Sequence, residues 1–342
     1  MLALAPRLDR RLVWGAIAVL LLAFACLPPL LSHDVYSYVD YARLGVLHGL
    51  DPYVHPPAAA PTDPAFAEVR WPDTTSAYSP LFTLATYPLA WLPVDAAVYV
   101  LKAASAVAVL ATAALVARLA PARGVDPLRA AAFVALNPLV LVHVVGGPHN
   151  DGLAVLLLTL GVTGVLTAGE AIAGAGLVAA IAVKASAGVA APFALLGAAR
   201  KGRLLAGALL AGALTAAVSH LAFSWNWLDA FALASENQGR TSYMSIPITA
   251  ARLTGLDPDV VRAVALALYA ALVIYLLTGT ARGSDWLRAA AWATFGLLLA
   301  TAWLLPWYLL WPLPLAALSR DRLLQLLLLG LTAYQLGARI PL

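Results

Sequence analysis

Few residues of this chain can do chemistry, and those that can fall into short clusters. The first reads His33-Asp34-Val35-Tyr36-Ser37-Tyr38-Val39-Asp40-Tyr41, with Arg43 and Asp51-Pro52-Tyr53 following. On a helix over 34–48, Asp34, Tyr38 and Tyr41 share one face, and Tyr36, Asp40 and Arg43 share another. An acid at the mouth of a helical bundle is what a general base for a hydroxyl nucleophile requires. A helix cap beside a belt of interfacial tyrosines would give the same spacing. The second cluster is Gly146-Gly147-Pro148-His149-Asn150-Asp151-Gly152. Its glycines and proline make a tight turn, and Asn150 and Asp151 stand where the next helix needs an N-cap. Capping accounts for one of them but not for His149, Asn150 and Asp151 together. The three could take a hydroxylated ligand or a divalent cation, although three adjacent residues cannot all aim at one ion.

Lys184 is the third feature. The chain has three lysines against 18 arginines, and this one is flanked by Ile181-Ala182-Val183 and Ala185-Ser186-Ala187. A charge set in apolar sequence is a functional candidate by default, and an ammonium suits a phosphate. A lysine snorkelling from a short helix end is the plain alternative. Lys102, about one and a half turns into its apolar segment, carries the same argument with less weight. Aromatic and polar residues recur at Trp225, Asn226, Trp227, Glu236, Asn237, Arg240 and Tyr243, and again at Pro306-Trp307-Tyr308 and Trp311-Pro312. Rings of this kind stack on sugars, but in an apolar chain tryptophans mostly mark membrane interfaces. There is no phosphate-cradling Gly-Lys-Ser/Thr loop, no dinucleotide fingerprint and no zinc-type Cys/His spacing. The sequence therefore names no cofactor and leaves a divalent cation open.

The elements that must position these residues are set by composition. Of 342 residues, 62% are hydrophobic and 11% charged, against roughly 45–50% and about 25% in soluble domains. Apolar runs of about 18–25 residues recur from end to end, long enough to cross roughly 30 Å of hydrocarbon. That excludes a soluble enzyme, a disordered chain and a disulfide-rich domain; Cys26 is the single cysteine. The expected fold is all-α, one integral membrane domain over 1–342. Spans are expected near 12–31, 96–118, 129–146, 151–168, 171–184, 186–199, 204–222, 259–280, 286–304, 306–319 and 323–340. Eleven spans is the count, with twelve as the alternative.

Basic flanks stay in the cytoplasm, which places the N-terminus inside. Thirteen of the 21 basic residues and five acids then lie on the inner side, about +8, leaving about −4 elsewhere. The stretch 79–92 holds Pro80 and Pro88 and reads as a juxtamembrane helix rather than a span. Two long segments remain on the outer face, a first loop over 32–95 and a second over 223–258. The net charge of +4 is thus an orientation signal, and no nucleic-acid partner is expected. No internal repeat of the transporter type is visible.

Several of these motifs occur together in a known family. Asp34-Val35-Tyr36-Ser37-Tyr38, Asp51-Pro52-Tyr53, Tyr78-Ser79-Pro80-Leu81-Phe82 and Asn137-Pro138-Leu139-Val140 come first. Gly146-Gly147-Pro148-His149-Asn150-Asp151, then Lys184 with Pro192, and Pro306-Trp307-Tyr308-Leu309-Leu310-Trp311-Pro312 complete the series. Over about residues 12–315 the chain resembles the actinobacterial polyprenyl-phosphate-mannose-dependent α-1,6-mannosyltransferases of the GT-C superfamily. The resemblance implies a multi-pass protein of the bacterial cell membrane with its active site on the extracytoplasmic side. It implies inverting transfer of mannose from a polyprenyl-phosphate sugar to a glycan or glycolipid acceptor. It makes Asp34 the general base and His149, Asn150 and Asp151 the second acidic motif. It assigns Lys184 and Arg240 to the sugar donor's phosphate, and Tyr36, Tyr38, Tyr78, Trp307 and Tyr308 to the lining for sugar or lipid. The chain departs from the family in being short and in having Pro148 where a small residue is expected. Another polyprenyl-phosphate sugar (glucose, arabinofuranose or aminoarabinose) and a lipid-linked-sugar transporter or flippase are the alternatives.

Overall fold

The computed structural model describes residues 9–337. Arg7, the last residues of the 323–340 segment and the Asn237 side chain lie outside that description. The described residues form helices joined by turns and longer loops, with no strand among them. In chain order the α-helices are α1 (Arg10–Cys26), α2 (Asp34–Leu47), α3 (Pro80–Thr86), α4 (Val94–Leu119) and α5 (Pro127–Ala135). Then come α6 (Asp151–Leu166), α7 (Glu170–Val183), α8 (Ala191–Gly197), α9 (Lys201–Phe223) and α10 (Asp229–Gln238). The last are α11 (Ile246–Thr254), α12 (Pro258–Ala281), α13 (Trp286–Ala300), α14 (Leu313–Leu318) and α15 (Arg322–Gly337).

Short-range chemistry sets the helix ends. Asp9, Asp126, Ser245, Asp257 and Asp285 each accept backbone N–H bonds at an N-cap, a contribution of about 1 kcal/mol apiece. Proline follows the cap in α5 and α12, where its missing N–H costs nothing. Gly124 and Gly255 close turns at φ of +64° and +72°, a region that glycine enters without strain.

Helices α4, α9 and α12 are long and apolar enough to cross a membrane. With 26, 23 and 24 residues they reach about 39, 35 and 36 Å. Large apolar side chains on α9 and α12, Leu209, Leu221, Leu268 and Tyr275 among them, are exposed, as lipid-facing surfaces are. The segment expected as a span at 129–146 is broken. α5 ends before Asn137-Pro138, a π-helical segment Val140–Gly146 follows, and the two pieces meet at 61°. Pro138 lacks the N–H that would continue the helix. Four shorter apolar helices, Asp151–Leu166, Glu170–Val183, Ala185–Gly197 and Trp286–Ala300, stand beside them. The 306–319 segment is likewise split, into a 3-10 turn at Pro306–Leu310 and the six-residue α14.

A large apolar core runs through α1, α4, the α5–π unit, α6, α7, α13 and α14. Helices α7 and α9 approach most closely at glycine. A Cβ on Gly174 would overlap the Leu204 carbonyl, and one on Gly207 would overlap that of Ala171. α2 packs on the short helices of the 32–95 loop through Val35, Tyr38, Val39 and Phe82. The two long loops meet where Asn226 donates to Asp51 Oδ2 at 2.9 Å.

Candidate active site

The connector from α1 to α2 turns sharply at Leu31, which takes a left-handed φ of 58°. A β-branch-free but bulky residue in that region is a strained choice, and the turn it makes delivers Asp34 to the first turn of α2. Asp34 does not cap the helix. Its own N–H donates to Ser32 Oγ, and its carboxylate, partly exposed, faces His149 Nδ1 at 3.7 Å. That gap is too long for a direct hydrogen bond. Burial raises the pKa of Asp34; Lys184 and His33 oppose the shift and Asp151 adds to it.

His149 lies in the turn after the π segment and is almost wholly buried. Its ring stacks on Trp307 at 3.6 Å, with planes 16° apart. Burial, with Lys184 and His143 nearby, lowers its pKa well below the usual histidine range. The imidazole beside Asp34 is therefore neutral, and its Nε2 has no partner. Asn150 stands at the N-cap of α6 yet makes no capping bond, and its buried Oδ1 is also unpartnered.

Asp151 is wholly buried and both its oxygens are held. Trp311 Nε1 donates to Oδ1 at 2.6 Å, and Lys184 Nζ donates to Oδ2 at 3.2 Å. Neither Asn150 nor Asp151 caps α6 by its side chain, so the capping expectation fails here. A carboxylate with both oxygens occupied orients its neighbours; it does not present a free edge to a ligand. Lys184 ends α7 in extended backbone, and Tyr308 lies beneath its Nζ at 5.4 Å. Tyr308 in turn stacks on Trp311 at 4.2 Å. With about a quarter of its side chain exposed, Lys184 keeps N–H donors for a further acceptor.

Of the tyrosines expected to line the site, Tyr38 is buried under Tyr78 and Phe82, with ring centres 4.7 and 4.9 Å away. Its hydroxyl reaches the Asn150 backbone, and burial holds its pKa well above the usual tyrosine value. Tyr36 stands on the other face of α2, 5.7 Å from the His33 ring and within electrostatic reach of Glu68 and Asp95. Arg240 lies over Trp71 at 4.8 Å and Trp303 at 5.6 Å, a cation–π clasp between loops. It makes no bond to Asp34, Asp151 or Lys184. Among the described residues, no three His, Cys, Asp or Glu side chains stand where they could share a metal ion.

Nothing in the spacing of the 306–312 segment points Trp311 to Asp151. A buried indole N–H needs an acceptor, and the acceptor lies 160 residues away. Only the fold joins them.

The chain is a helical membrane protein that gathers a carboxylate, an imidazole, a lysine and a set of aromatic rings in one place. Residues 2–200 match the family described as "Alpha-(1->6)-mannopyranosyltransferase, N-terminal domain", and the chain belongs to that family. It is 30% identical over 333 aligned residues to alpha-(1->6)-mannopyranosyltransferase A of Mycobacterium tuberculosis, covering 84% of this chain and 61% of the relative. The protein of the same name from Corynebacterium glutamicum is 31% identical over 171 residues, 48% of this chain and 34% of the relative. The chain thus spans about three-fifths of the length of the mycobacterial relative. No solved structure matches it.

Proposed function

We propose that this chain transfers mannose, with inversion, from a polyprenyl-phosphate-linked sugar donor to the hydroxyl of a mannoside or glycolipid acceptor on the extracytoplasmic face of the cell membrane. The relatives' names support the sugar transferred. The placement of Asp34 carries the catalytic part of the reading. A carboxylate kept partly open, beside a neutral imidazole and within electrostatic reach of a lysine, is equipped to take a hydroxyl proton.

In this reading the acceptor oxygen attacks the anomeric carbon as Asp34 removes its proton, and the bond from that carbon to the phosphate oxygen breaks. Lys184 meets the charge that develops on the departing phosphate, which is where the largest rate effect is expected. Asp151 and Trp311 hold Lys184 in place, and His149, fixed by Trp307, accompanies Asp34. Trp307, Tyr308, Tyr38 and Tyr78 supply the aromatic wall for sugar or prenyl chain. Tyr36, turned to the other face of α2, lines the loop behind it. Arg240, held over Trp71 and Trp303, would reach the phosphate only by leaving that clasp. The eleven-span topology with a cytoplasmic N-terminus belongs to the same proposal.

The test is Asp34→Asn in purified protein given radiolabelled polyprenyl-phosphate mannose and a mannoside. Transfer should fall at least a thousandfold while the sugar donor still binds. Activity equal to the parent would remove Asp34 from the reaction.

A further inference from the structure

Lys102 plays no part in the reaction above, yet its side chain is wholly buried within α4. Its Nζ donates to the Gly146 carbonyl at 2.6 Å and to that of Val145 at 3.4 Å. It has no carboxylate partner among the described residues. Those two carbonyls end the π segment, where helical carbonyls have lost their in-helix partners and carry partial negative charge. An amino group is the complementary cap.

The Gly146 carbonyl receives a second bond, from Leu30 N–H at 3.0 Å. Leu30 lies in the connector that delivers Asp34, and Gly146 opens the turn that delivers His149. One oxygen therefore ties together the two chain segments that face each other in the site. The fit leaves no slack. A Cβ on Gly146 would come within 2.9 Å of Leu30 Cδ1, and one on Gly147 within 2.6 Å of the Leu30 carbonyl. π-helical turns are rare and concentrate at functional sites, and the Lys102 ammonium gives this one an anchor outside its own segment.

We infer that Lys102 is a positioning residue: its bond to the Gly146 carbonyl sets the turn that holds His149 and Asp151 against Asp34 and Lys184. The kinetic part of this inference rests on the proposed transferase function; the structural part does not.

Lys102→Met keeps the stem and volume and removes the N–H donors. In lipid nanodiscs, amide hydrogen exchange over residues 140–152 should quicken at least tenfold in this variant and stay unchanged over 201–223. Lys102→Gln, which retains a shorter donor, should fall between the two. Unchanged exchange over 140–152 overturns the inference, as does equal loosening of every helix, which would make Lys102 a packing residue only. In the transfer assay, Lys102→Met should lower kcat at least tenfold with KM for the sugar donor within threefold. In a His149→Gln background the same substitution should cost less than twofold, because both act through one turn. Additive losses would overturn it. If the parent protein transfers no sugar, the functional reading fails, and the exchange measurement alone decides the role of Lys102.

Discussion

Neighbours of opposing effect act on the Asp34 carboxyl. Burial favours its protonated form, while Lys184 and His33 favour the carboxylate. In the proposed reaction Lys184 has two tasks, because the same Nζ that holds Asp151 would also meet the phosphate. Lys184→Gln keeps an N–H for Asp151 and removes the charge. It should raise KM for the polyprenyl-phosphate sugar tenfold or more, with a smaller effect on kcat. An unchanged KM in steady-state assays would count against the phosphate role. The types of these residues were legible: an acid at a bundle mouth, a lysine in apolar sequence and a polar turn after paired glycines. The bond from Trp311 to Asp151 and the anchoring of Lys102 on Gly146 were not. Each joins residues distant in sequence, and no periodicity encodes the pairing.

Local rules explain many helix boundaries, and packing explains the rest. Proline and aspartate predict where α5 and α12 begin, and Pro138 marks the break that a hydropathy reading of 129–146 passes over. The close approach of α7 and α9 depends on Gly174 and Gly207, a relation that becomes visible only once the helices are paired. Gly207→Ala drives a Cβ into the Ala171 carbonyl, an overpacking worth about 1–3 kcal/mol. Its melting temperature in detergent should fall by several degrees, and an unshifted transition would show that the helices separate freely.

The rear face of α2 offers a second test at this scale. Asp40 is buried with both carboxylate oxygens unpartnered. Burial, reinforced by Asp63 and opposed by His48 and Arg43, pushes its pKa up from 3.8 to about 7. The folded state then keeps a proton that the unfolded chain releases near pH 4. The stability this contributes is full below that pH and is lost as pH rises through about 7. Asp40→Asn should flatten the decline between pH 5 and 8 and gain on the order of 2 kcal/mol at pH 8. Identical melting curves for variant and parent across that range would contradict the assignment.

At the scale of the whole molecule, composition foretold a helical membrane protein, and the exposed apolar faces of α9 and α12 fit hydrocarbon. The short and broken helices around α5, α8 and α14 are harder to read, because their apolar sequence resembles a span while proline and glycine interrupt its geometry. They bring the turn at 146–151, the end of α7 and the 306–311 segment to the same end of the bundle as Asp34. Asn226 and Arg240 draw the two long loops together near that end, through Asp51 and Trp71. Inverting transfer at this end of the bundle would fix the anomeric configuration of the product. The purified chain in nanodiscs would be given β-linked, carbon-13-labelled mannose on a polyprenyl phosphate, with a mannoside acceptor, and the product read by NMR. The product should be an α-linked mannoside. A β-linked product, or a sugar donor left intact, would rule inverting transfer out.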